Sequence, residues 1–89
     1  MSLIRVPPAL RTTVGEREVT AEGSTVGEVL DDFAAQYPPV RAQLFEDNGQ
    51  LKRFINVYLN QQDIQYLEKL DTASGPEDTI IILPAMAGG

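Results

Sequence analysis

The chain of 89 residues predicts an α+β domain, a mixed sheet of four to five strands packed on one main helix. Three observations carry this. Short segments at the start, middle and end of the chain are apolar or alternate with a period of two, as strands with one buried face do. One segment, 26–37, repeats apolar residues at three- and four-residue intervals, as a helix does. Turn formers separate these segments: Pro7-Pro8, Pro38-Pro39, Asp47-Asn48-Gly49 and Ser74-Gly75-Pro76.

Leu3 to Val6 reads as the first strand. Pro7-Pro8 closes it, because proline cannot donate to a central ladder. Pro8 to Glu16 reads as a loop or an irregular strand ending, with Gly15 as a turn residue. Arg17 to Ala21 alternates and reads as a second strand, paired with the first as a hairpin.

Ser24-Thr25 opens the main helix. Thr25 and Glu28 have capping-box spacing. Val26, Val29, Leu30, Phe33 and Tyr37 form one apolar stripe, with Asp31, Asp32 and Gln36 opposite. Pro38-Pro39 ends it. Gly27 weakens the helix by about 1 kcal/mol relative to Ala, so packing must hold it. Pro39 to Phe45 reads as one more helical turn, Val40 and Leu44 inward.

Arg53 to Leu59 reads as a strand, Asn60 to Asp63 as a polar turn, Ile64 to Leu67 as a short edge strand, and Thr79 to Leu83 as the last strand. The helix supplies the long crossover that a parallel pair needs, so the first and last strands lie centrally and in parallel. This is the β-grasp arrangement. Residues 1–84 are expected to form this domain and residues 85–89 a flexible tail.

Strand alternation then divides the faces. Ile4, Val6, Ile55, Val57, Leu59, Ile80 and Ile82 point to the helix. Leu3, Arg5, Phe54, Asn56, Tyr58, Ile81 and Leu83 point to the open face. The apolar members of the second group form a candidate patch for a protein partner: Phe54, Tyr58, Ile81 and Leu83, with Leu3 beside them. The helix stripe is core.

Composition narrows the chemistry. The chain has no cysteine and no histidine. Disulfides, thiol nucleophiles, the common zinc sites and the usual neutral-pH base are excluded. No carboxylates form a recognisable catalytic pair. The expectation is that the chain is no enzyme, binds no metal or cofactor, and enters chemistry as a substrate. The acidic clusters Glu46-Asp47 and Glu77-Asp78 read as solvated turns, each alone too poor in oxygen ligands for a hard cation. Net charge is −6, with seven scattered Lys and Arg, which speaks against nucleic acid and fits a carrier steered to basic partner surfaces. No apolar run reaches the ~20 residues of a membrane span, and the first residues show no signal-peptide pattern, so a monomeric, cytoplasmic protein is the expectation.

The end of the chain is the most specific feature. Ala85, Met86, Ala87, Gly88 and Gly89 follow the apolar last strand. At ordinary Gly usage of about 7%, a closing Gly-Gly arises by chance in roughly 0.5% of chains. Two residues without Cβ can thread a narrow channel, and five residues reach at most roughly 17 Å. The terminal carboxyl is thus the candidate reactive group.

The β-grasp pattern, the segment Arg53-Phe54-Ile55-Asn56-Val57-Tyr58-Leu59-Asn60 and the ending Thr79-Ile80-Ile81-Ile82-Leu83-Pro84-Ala85-Met86-Ala87-Gly88-Gly89 resemble the ubiquitin-like sulfur carriers of the ThiS and MoaD type, in the CysO branch. The resemblance spans the whole chain. It implies adenylation of Gly89 by an ATP-consuming activating enzyme of the ubiquitin-activating type, displacement of AMP by a sulfur donor, and a thiocarboxylate that donates sulfur. In the CysO branch it implies a pyridoxal-phosphate cysteine synthase as acceptor and a metalloprotease that frees the product. Other sulfur-containing metabolites are further destinations. Three alternatives stay open: a protein modifier joined to lysines through Gly89, the small subunit of a molybdopterin synthase, and a plain interaction domain.

Overall fold

The computed structural model describes residues 1–84. Five strands form one sheet: β1 (Ser2–Arg5), β2 (Glu18–Ala21), β3 (Ile55–Leu59), β4 (Gln62–Asp63) and β5 (Thr79–Pro84). Their order is β2-β1-β5-β3-β4. The hairpin β1–β2 is antiparallel, β1 and β5 are parallel and central, and β3 lies antiparallel to β5. This is the expected α+β, β-grasp arrangement.

Three helices accompany the sheet: α1 (Pro8–Val14), α2 (Val26–Gln36) and α3 (Pro39–Leu44). Helix α2 is the main one. Its capping follows the sequence signal with one difference. The Glu28 amide donates to Thr25 Oγ1 at 3.1 Å, but the Glu28 carboxylate accepts from the Ser24 amide, at 2.7 Å, and not from Thr25. Val26, Val29, Leu30 and Phe33 are fully buried, and Tyr37 lies edge-on to Phe33 at 5.7 Å. They close the core with Ile4, Val57, Ile80 and Ile82 of the sheet. Ile55 is only half-buried at the rim of this core.

Gly27 has a packing role. A Cβ there would lie 3.0 Å from the Leu70 carbonyl oxygen. The absent side chain lets the 3₁₀ turn Lys69–Asp71 sit against α2, which offsets the intrinsic helix penalty of glycine.

Several assignments differ from the sequence reading, and β1 is Ser2–Arg5 where the sequence predicts Leu3 to Val6. Residues 8–14 form α1, not a loop. Pro8 sits at its first turn, where a missing N–H costs nothing, and Gly15 ends it in the left-handed region at φ 82°. Leu10 and Val14, one turn apart, are buried, which stabilises a helix too short to stand alone. The edge strand is Gln62–Asp63, inside the expected polar turn, while Ile64–Tyr66 is a 3₁₀ turn capped by Asp63. β3 starts at Ile55, because Arg53 and Phe54 belong to a turn in which the Ile55 amide bonds the Lys52 carbonyl at 3.0 Å. β2 starts at Glu18 and not Arg17.

Candidate partner surface

The site is built from β5 and its two neighbours. In register, Ile81 faces Tyr58 on β3 and Arg5 on β1, Leu83 faces Asn56, and Pro84 faces Ile55. Alternation sends Ile80 and Ile82 into the core at 0% and 1% exposure. The alternate residues, Ile81 and Leu83, project from the other face, Ile81 half-buried and Leu83 46% exposed. Tyr58 and Leu3 are also half-buried on this open face. Asp63 beside Tyr58 and Asn56 beside Leu83 give the patch a polar border.

Phe54 is 48% exposed but stands in the turn before β3, so no ladder holds it in register with Ile81 and Leu83. The strand reading extended the alternation one step too far. Ala85, Met86, Ala87, Gly88 and Gly89 lie outside the described residues.

A polar latch fixes where β5 begins. Asp78 Oδ2 accepts from the Gly75 amide at 2.8 Å, and Asp78 Oδ1 from Asn60 Nδ2 at 3.2 Å. Asn60 Oδ1 in turn accepts from the Thr79 amide at 3.0 Å. Asn60 pays for this with a left-handed backbone, φ 58°, which asparagine tolerates. The Gly75 amide, and then Asn60, hold the Asp78 carboxyl below its ordinary value. Asp78 is thus not merely the solvated turn residue that its sequence context predicts. The spacing of Gly75 and Asp78 was a usable turn signal, but Asn60 is distant in sequence. Among the described residues no three carboxylates converge on a cation site. No helix of the described residues is long and apolar enough to cross a membrane.

The ThiS family model matches residues 4–89. The chain belongs to the ThiS family. Within this family it is 38% identical to the sulfur carrier protein CysO of Mycobacterium tuberculosis, over 97% of this chain and 96% of that one. It is 30% identical to small archaeal modifier protein 3 of Haloferax volcanii, over the same shares. Among solved structures, the Amycolatopsis orientalis BexX/CysO complex holds a chain that matches with a TM-score of 0.91 and 39% identity, each chain fully covered. The relatives thus include CysO sulfur carriers and a small archaeal modifier protein, each matched over nearly the whole of this ThiS-family chain.

Proposed function

We propose that this chain is a sulfur carrier whose Gly89 carboxylate is the working group. A carboxylate is a poor electrophile, because its charge is delocalised and oxide is a bad leaving group. A partner enzyme joins Gly89 to AMP from ATP and releases pyrophosphate. A sulfur donor then attacks the acyl carbon, AMP leaves, and a thiocarboxylate remains. That anion keeps reduced sulfur nucleophilic without free sulfide. Every catalytic group comes from partners, which agrees with a chain that lacks cysteine and histidine.

The supporting observation is full-length similarity to CysO sulfur carriers, combined with Gly88-Gly89 at the end of the same chain. The open face of Leu3, Tyr58, Ile81 and Leu83, with Phe54 nearby, docks the domain while Ala85, Met86, Ala87, Gly88 and Gly89 enter the partner's active site. The partners are an adenylating enzyme and a sulfur-accepting synthase, with cysteine as the first destination. Intact mass tests this directly. After incubation with ATP, a sulfur source and cell extract, the protein should gain the mass difference of one oxygen replaced by sulfur. An unchanged mass refutes the proposal.

The similarity to small archaeal modifier protein 3 supports a second reading, in which the same activated Gly89 joins to lysine amines. High-mass covalent conjugates in extracts, sensitive to loss of Gly89, would select it.

A further inference from the structure

Only seven side chains of this acidic protein are cationic: Arg5, Arg11, Arg17, Arg41, Lys52, Arg53 and Lys69. Three of them line one open cavity of about 360 Å³. Its walls are Arg5, Arg11 and Arg17, with Val6 and Glu18. The convergence follows from the backbone. Arg5 closes β1 and projects from the open face beside Glu18, its register partner on β2. The two form an exposed ion pair at 3.5 Å. Arg17 stands just before β2, where its carbonyl accepts from the Val6 amide at 2.8 Å. Arg11 comes from α1, and its Nε donates to the Val6 carbonyl at 3.2 Å. That bond anchors the Arg11 guanidinium by one nitrogen, and among the described residues its two terminal nitrogens make no hydrogen bond.

The position gives the cavity meaning. β1 and β5 run parallel, with Arg5 level with Ile81. The cavity therefore lies at the end of the sheet where β5 reaches Pro84, and it borders the apolar open face. Here the charge pattern of the chain inverts. A body of net charge −6 draws a partner's basic surface, but attraction alone sets no rotation. One carboxylate on that basic surface is repelled by most of this molecule and attracted here. Guanidinium groups match a carboxylate in bidentate geometry, so the fit also fixes direction.

We propose that the Arg5, Arg11 and Arg17 cavity is an oxyanion site that seats an acidic side chain of the adenylating enzyme and sets the rotation of the docked carrier. This rests on the carrier reading above. The apolar face supplies area, and the cavity supplies register. Because the cavity is open, its charges stay partly solvated, and its main effect is on correct encounter.

Carrier-dependent ATP–pyrophosphate exchange by the adenylating enzyme tests this. The variants are R11Q/R17Q and, as a control that removes the same charge elsewhere, R41Q/K69Q. R11Q/R17Q should raise the KM for the carrier about tenfold, with kcat at saturation within about twofold, the loss expected of a charge-assisted contact made outside the reacting centre. R41Q/K69Q should change KM by no more than about threefold, as screened surface charges do. Equal KM values for the two double variants overturn the cavity. If the wild type supports no exchange, the carrier reading itself fails, and the cavity proposal with it. Circular dichroism checks folding. Should loss of the Arg11 bond to Val6 unfold the double variant, R17Q alone decides, with KM raised about threefold against an unchanged R41Q.

Discussion

Ile81 lies level with Tyr58 across one ladder and level with Arg5 across the other. One residue of β5 thus joins the apolar patch to the arginine cavity. Its neighbours in sequence, Ile80 and Ile82, are both in the core. Core packing and the proposed partner surface thus fall to alternate side chains of the same strand.

Ile81→Asp should weaken binding to the adenylating enzyme at least about tenfold, since a charge enters the centre of an apolar contact. The cost in stability should be only about 1 kcal/mol, the scale of a strand-propensity change at a half-solvated site. Titration of the partner and a urea unfolding curve measure the two. A loss of several kcal/mol would show that Ile81 is a core residue.

Ile80→Ala is the complementary case. Ile80 is fully buried in the core, level with Ile4 on β1, and truncation should cost about 2–5 kcal/mol through lost transfer energy and a cavity. The urea midpoint should fall clearly while Gly89 loading of the folded fraction persists.

Asp78 predicts a pH dependence. Its folded pKa is lowered by the Gly75 amide and by Asn60. The unfolded state therefore binds the proton more readily. Stability from this group is present above the unfolded value of about 3.9 and is lost as pH falls through the folded value. Asp78→Asn should lower Tm at pH 7, and the gap to the wild type should narrow as pH drops below about 4. A gap that stays constant with pH would remove the carboxylate from the account.

Deleting Gly89 should abolish the oxygen-to-sulfur mass gain and leave Tm unchanged, because the described residues already form a closed core from Ile4 to Ile82. Mass spectrometry and thermal unfolding check both halves. Undiminished loading would refute Gly89 as the reactive end.

Thr25→Ala should cost about 1 kcal/mol, the usual value of an N-cap hydroxyl, and should be visible in the urea midpoint. Partner binding should not change, since Thr25 stands at the start of α2 and not on the open face.

Much of this was legible in the residues. The period of two in Thr79 to Leu83 places Ile80 and Ile82 inward and Ile81 and Leu83 outward. The 3.6 period assigned Val26, Val29, Leu30 and Phe33 to the core. Gly88-Gly89 and the strand before it pointed to the family. Periodicity is local, and so are caps, prolines and turn formers. Each can be read from a short window, and each constrains the backbone directly.

The remainder needed contacts between distant residues. Two buried side chains, Leu10 and Val14, made a helix of a segment that reads as a loop. A missing Cβ at Gly27 admitted the Leu70 turn. Asp78 met Asn60 across a gap of eighteen residues, and Arg5, Arg11 and Arg17 converged from two strand ends and a helix. Local pattern determined strands β1, β2, β3 and β5 to within two residues, the main helix, most of their buried faces and the reactive-end candidate. Tertiary structure decided the short helices, the latch and the arginine cavity, because these arise from surfaces that meet only after the chain has closed on itself.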